Sequence, residues 1–232
     1  MKTIGLIGGM SWQSSLEYYR MINQLTSDRL GGLHSAKIIL FSVDFADIAI
    51  VQHSDRWSEA AAILIEAAQQ LQMAGAGMVL LCTNTMHKVA DHIEGRISVP
   101  FLHIADVTAA AIKAQGLNRV GLLGTKFTME QDFYRQRLTE KHGLEVLVPQ
   151  PRDRDTLHQI IYDELCVGAI APSSRQQVHT ICTNLAQAGA AGIILGCTEL
   201  ELLIQQAPVP LFPTTQLHAE AAVKLALAEH AG

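Results

Sequence analysis

The sequence predicts an α/β protein of two similar Rossmann-like lobes with mainly parallel sheets, and three observations carry that prediction. Short apolar runs alternate with longer amphipathic stretches almost from end to end of the 232 residues, the pattern of repeated βαβ units. The chain also repeats itself at about half its length. Ile-Gly-Leu-Ile-Gly-Gly at 4–9 resembles Val-Gly-Leu-Leu-Gly-Thr at 120–125, and Gly-Met-Val-Leu-Leu-Cys-Thr at 77–83 resembles Gly-Ile-Ile-Leu-Gly-Cys-Thr at 192–198. Finally, 49% of residues are hydrophobic but only 5% aromatic, which suits aliphatic helices on buried sheets and excludes a disordered chain.

Each element has a local reason. Strands are expected at 3–7, 36–43, 77–81, 119–123, 145–148 and 192–195, all short apolar runs. Helices lie between them. Ser14-Ser-Leu-Glu17 and Thr128-Met-Glu-Gln131 read as capping boxes, and Gly31 and Gly143 sit where a helix C-terminus favours glycine. Val-Pro at 99–100 and again at 209–210 precedes an Ala-rich helical stretch, expected to carry the chain into the second lobe and back. Residues 1–100 with 214–232 should therefore form lobe one, and 101–213 lobe two. Two matches at nearly the same spacing imply lobes related by a pseudo-twofold axis, with a cleft between them at the carboxyl ends of the strands.

Composition narrows the function. Seventeen basic against twenty-two acidic residues, a net charge of −5, leave no electrostatic footprint for nucleic acid. No apolar run approaches the ~20 residues of a membrane span, and the glycine-rich start reads as a strand and turn rather than a signal peptide. Cys82, Cys166, Cys182 and Cys197 lack metal-site spacing and are too sparse for a disulfide scaffold. A cytoplasmic protein with free thiols is the expectation. The ten histidines show no ligand spacing on one helix face, so no metal is expected.

Cys197 is the sharpest single residue. It ends a buried-type strand and opens Cys-Thr-Glu-Leu, read as the first turn of a helix whose positive end would favour thiolate. The bland alternative is an inert buried cysteine. Asn84 with Thr83 and Thr85 can hold a carboxylate, or merely cap a helix; His87 alone reads as structural. The turn Gly8-Gly9-Met10-Ser11 could cradle an anion. It does not match G-x-G-x-x-G, so no nicotinamide cofactor is expected. Cys166 and Cys182 fall in helical stretches and receive no role.

Taken together, Gly8-Gly9-Met10, residues 81–87, Gly124-Thr125-Lys126-Phe127-Thr128 and Gly196-Cys197-Thr198-Glu199 resemble, in order and over nearly the whole chain, the motifs of the aspartate/glutamate racemase family. The fit is closest to its enterobacterial amino-acid racemase branch. The resemblance implies racemisation of a free amino acid with no cofactor, by two cysteines that remove and return the α-proton on opposite faces. It also implies a homodimer. Two alternatives stand beside it: a non-catalytic amino-acid-binding relative, and another isomerase or a decarboxylase of the superfamily acting on a diacid.

The sequence departs from the family pattern at its first cysteine. Anchoring on Asn84, Thr85 and His87 puts Thr83 in that slot and Cys82 where the family has proline. The ungapped internal repeat instead superposes Cys82 on Cys197. One step along a strand reverses the side chain, so only one of the two can face the cleft, and the three downstream matches favour Thr83. The resemblance implies that the second-lobe cysteine faces the α-hydrogen of the L-enantiomer. With Thr83 and Cys197 as the catalytic pair, deprotonation should then be efficient from the L side only, because a hydroxyl is a poor base at neutral pH. Asn84, Thr85 and Thr198 are expected to hold the α-carboxylate, and Met10 and Gln52 to line the side-chain end. Thr125 and Lys126 would contribute from lobe two. Acid-specific relatives carry an arginine in the loop after the second strand; residues 42–52 contain none before Arg56. Gln52, a neutral hydrogen-bonding amide, is the expected replacement.

Overall fold

The structure, a computed structural model, describes residues 1–228. The chain divides into two compact units, one formed by Met1–His103 with the chain from His218 onward, the other by Ile104–Leu217. The final residues of the expected lobe one, 229–232, lie outside the described residues.

Unit one runs β1 (Ile4–Gly8), α1 (Trp12–Leu30), β2 (Ile38–Ser42), α2 (Phe45–His53), α3 (Trp57–Met73), β3 (Met78–Leu81), α4 (Ala90–Glu94) and β4 (Phe101–Leu102). Its four strands are parallel, in the order β2-β1-β3-β4. Unit two runs α5 (Ile104–Ala114), β5 (Arg119–Gly124), α6 (Lys126–Glu130), α7 (Asp132–Gln136), β6 (Glu145–Leu147), α8 (Pro151–Gln159), α9 (Pro172–Gln187), β7 (Ile193–Gly196), α10 (Leu200–Leu203) and β8 (Leu211–Pro213). Its strands are again parallel, in the order β6-β5-β7-β8. One order serves both sheets, in keeping with two lobes of similar plan. Helix α11 (Thr214–Leu227) starts in unit two, where Thr214 donates to the Leu195 carbonyl at 2.8 Å, and finishes in unit one.

Alternation along each central strand fills two cores, one per sheet face. From β1, Ile4 and Leu6 pack with Tyr18 and Ile22 of α1 and Ala219 and Val223 of α11, while Ile7 packs with Leu64 and Leu71 of α3. From β5, Val120 and Leu122 pack with Ile112 of α5, and Leu123 with Val178 and Leu185 of α9.

Two features differ from the sequence expectation. The capping residues lie three positions earlier: Ser11 Oγ accepts the Ser14 amide and Thr125 Oγ1 the Thr128 amide, both at 3.3 Å. In S-x-x-S and T-x-x-T both hydroxyl residues look like caps, but only the first has extended backbone. Strands β4 and β8 are additions. They begin one residue after Pro100 and Pro210, whose carbonyls accept from Val79 and Ile193, and at two and three residues they leave no periodicity to read. Gly31 and Gly143 do take positive φ at helix ends.

Candidate active site

In unit one, Ile7 lies opposite Leu81, so the segments following β1 and β3 leave the sheet together at its C-terminal edge. Gly9 shapes the first, with φ of +95° and no room for a Cβ against the Val43 backbone. Its N–H donates to Ser15 Oγ at 2.8 Å, and Ser15 Oγ donates to the Ser11 carbonyl at 3.1 Å. That amide is taken up by the turn itself, so the Gly9 N–H is not available to an anion.

After β3, Cys82 is completely buried; its N–H donates to the Ile7 carbonyl at 2.9 Å, and its carbonyl accepts from Ser14 Oγ at 3.1 Å. Burial pushes its thiol far above the usual cysteine range. The next residue, Thr83, is partly exposed. Asn84 and Thr85 follow, both buried, entering a single 3₁₀ turn at Thr85–Val89. Met10 packs with Ile48, Val51 and Met86. Gln52 is buried in α2, so the stretch read as a loop is helical, capped by Asp44. Arg56 is committed to Glu59 at 2.9 Å on the surface.

In unit two, Gly124 lies opposite Gly196, so Thr125 and Cys197 emerge side by side from neighbouring strands. Thr125 and Cys197 are buried and Thr198 is partly exposed. The Lys126 amide donates to His158 Nδ1 at 3.3 Å, and its ammonium pairs with Asp155 of α8.

Cys197 corrects one expectation. Helix α10 is only four residues long and begins at Leu200, too short to carry a substantial dipole. The thiol instead donates to Glu199 Oε2 at 3.1 Å. Burial first, and the Glu199 carboxylate second, raise its pKa well above the ordinary value. Cys197 therefore rests as a thiol, with a proton acceptor already in contact. Burial also holds Cys166 up at about 12 and Cys182 at about 11. Among the described residues, no group of three His, Cys, Asp or Glu is placed to hold a metal, and no helix is long and apolar enough to cross a membrane.

The sequence profile of the Asp/Glu/hydantoin racemases matches residues 7–222. The chain belongs to that family. It is 55% identical to a candidate Asp/Glu racemase from Yersinia pestis of known structure, covering 98% of this chain and 100% of that one with a TM-score of 0.93. It is 35% identical to an aspartate racemase homologue from Pyrococcus horikoshii OT3, covering 97% and 99% with a TM-score of 0.86. It is also 26% identical over 170 residues to the broad-specificity amino-acid racemase RacX of Bacillus subtilis, 71% of each chain. This racemase is accordingly an isomerase that inverts amino acids. What the sequence did not show about it is the bond between Cys197 and Glu199. The spacing Cys-Thr-Glu was visible, but a carboxylate two residues along pairs back only when the strand ends in a tight turn, here closed by the Cys197 carbonyl accepting from Leu200.

Proposed function

We propose that this racemase acts on a free acidic or polar amino acid without pyridoxal phosphate or metal, using Cys197 and Thr83 to exchange the α-proton. The observation that carries the reading is a contrast between two strand ends. After β3 a sealed thiol, Cys82, is followed by a partly exposed hydroxyl; after β7 a thiol is paired with a carboxylate. On this reading lobe one comprises 1–100 with 214–232 and lobe two 101–213.

The chemistry follows from charge. Losing the Cys197 proton to water would leave two negative charges in one buried pair. Passing it to Glu199 leaves one, so the thiolate forms at far lower cost. That thiolate removes the α-proton of the L-enantiomer, and the carbanion takes a proton from Thr83 on the opposite face. The Thr83 alkoxide recovers its proton from solvent, and the Cys197–Glu199 pair exchanges its protons with solvent. A hydroxyl is a much weaker acid than a thiol, so return from Cys197 competes with inversion. Equilibrium between free enantiomers stays one to one; only the rates are lopsided. Asn84, Thr85 and Thr198 hold the α-carboxylate, Thr125 supports them, and Met10 and Gln52 meet the side chain. Gln52 offers an amide where a strict acid-binder would offer a cation, which admits neutral polar substrates. The protein works in the cytoplasm as a homodimer.

Incubation of L-Asp and L-Glu with the protein in D₂O tests this reading. Deuterium should enter the α-position faster than the D-enantiomer accumulates, and a chelator or a carbonyl reagent should leave both rates unchanged. Absence of incorporation for every amino acid tried would favour a non-catalytic binder.

A further inference from the structure

Beside Thr83 lies a buried group of imidazoles with no part in the proton exchange described above. His87 and His103 are 3% and 4% exposed and His218 is fully buried. The His87 ring centroid is 4.5 Å from that of His103, 5.8 Å from that of Phe101 and 6.0 Å from that of His218. One atom of this group reaches the catalytic segment: His87 Nδ1 lies 2.7 Å from the Thr83 carbonyl oxygen.

Hydrogen-bond chemistry fixes the protons. A carbonyl oxygen only accepts, so His87 must carry its proton on Nδ1 and donate. By the same rule His218 carries its proton on Nε2, which donates to the Leu102 carbonyl at 2.8 Å, and its Nδ1 accepts from the Tyr18 hydroxyl at 2.9 Å. Burial lowers the His218 pKa to about 4, so this neighbour adds no charge to the packing behind His87 near neutral pH.

The placement matters because residues 82 and 83 differ in role although one peptide joins them. The carbonyl of Cys82 is held by Ser14 Oγ from α1, that of Thr83 by His87, and the His87 amide donates to the Asn84 carbonyl at 3.1 Å. The two carbonyls are therefore pinned from different elements. Rotation of the Thr83 peptide would swing the hydroxyl away from the face it serves. We infer that His87 is a positioning residue of the racemase, its Nδ1–H clamping the Thr83 peptide so that the hydroxyl returns the proton. The inference deepens the proposed two-base reading and rests on it.

The test uses the ratio of inversion to α-deuterium wash-in for L-Asp and L-Glu in D₂O. That ratio is independent of how much protein is folded, so a merely structural defect lowers both rates and leaves it unmoved. Replacing His87 by Leu removes the donor, and the ratio should fall about tenfold, less than the ~10²–10⁴-fold lost when a general acid is removed outright. His87→Asn places an amide N–H where Nδ1 stood and should restore the ratio to within about threefold of wild type. His87→Gln keeps a polar side chain but moves the donor outward. It should resemble His87→Leu, and it serves if the Leu variant does not fold. A ratio unchanged in both donor-displacing variants, or an Asn variant as impaired as they are, overturns the inference while the two-base reading stands. A wild type that neither exchanges nor inverts removes that reading, and the inference with it.

Discussion

At Cys197 the thiol and the Glu199 carboxylate are arranged so that charge and proton transfer can be separated by one substitution. Glu199→Gln removes the negative charge that helps hold the thiol pKa up, so alkylation of Cys197 by iodoacetamide should shift to lower pH. It also removes the acceptor, so deuterium exchange into the L-enantiomer should fall about 10²–10⁴-fold, the usual scale of general acid–base catalysis. Unchanged exchange would exclude Glu199 as the acceptor. Cys197→Ala itself should abolish exchange from the L side. Thr83→Ala should spare much of it but suppress inversion, and Thr83→Cys should speed the D→L direction. Cys82→Ala should do neither, costing only what a lost buried sulfur costs in packing. A dead Cys82→Ala with a silent Thr83→Ala would reverse the assignment. That the two neighbours differ in burial was legible in the sequence, because strand alternation turns adjacent side chains to opposite faces. The state of Cys197 was not: the same Cys-Thr-Glu fits an activated thiolate at a helix end and a protonated thiol beside a carboxylate, and the length of α10 decides between them.

Among the elements, the turn after each first strand shows how a correct motif can be read in the wrong frame. Ser11 and Thr125 begin helices α1 and α6, and Ser14 and Thr128, three residues on, receive the caps. Ser14 then bonds the Cys82 carbonyl, 68 residues away, a use that no local rule could foresee. Ser11→Ala should therefore cost about 1 kcal/mol of stability. Glu17, the reciprocal partner in the box read from sequence, instead pairs with Arg20 at 2.9 Å on a largely exposed surface. Glu17→Ala should change stability by no more than about 0.5 kcal/mol. Urea unfolding of the two variants separates the frames, and a larger loss from Glu17→Ala would restore the original box. The other six strands were legible because each overlaps an apolar run of the sequence, the shortest being 146–148. The edge strands β4 and β8 arise from backbone pairing at Val79 and Ile193 rather than from side-chain pattern.

Across the whole molecule, the half-length repeat foretold two lobes of similar plan, and the two sheets, ordered β2-β1-β3-β4 and β6-β5-β7-β8, have that likeness. The repeat did not foretell what secures the chain where it leaves and re-enters unit one. Leu102, two residues before unit two begins, accepts from His218, the first residue after it ends, and His218 also accepts from Tyr18 of α1. Burial holds this imidazole neutral, and the linkage has a definite sign. With a folded pKa of about 4 against an unfolded value of 6.5, the unfolded chain takes up a proton below pH 6.5 that the native state refuses. Stability from this group is therefore complete above pH 6.5 and declines as pH falls to about 4, by about 3 kcal/mol as an upper estimate. Asp106 acts in a lower window. Burial pushes its carboxyl up, but hydrogen bonds from Arg137, His142 and Lys141 outweigh that and hold it well below the usual range. Its contribution is intact above the ordinary carboxylate pKa and is lost only as acid drives pH below that. The two windows can be told apart by urea midpoints measured from pH 8 to pH 3. His218→Gln keeps an N–H donor but no titratable ring, so it should be less stable than wild type at pH 8 yet flatter between pH 6.5 and 4, converging with wild type at the acid end. Parallel curves for the two proteins across that window would show that His218 is not the group whose protonation opens the fold.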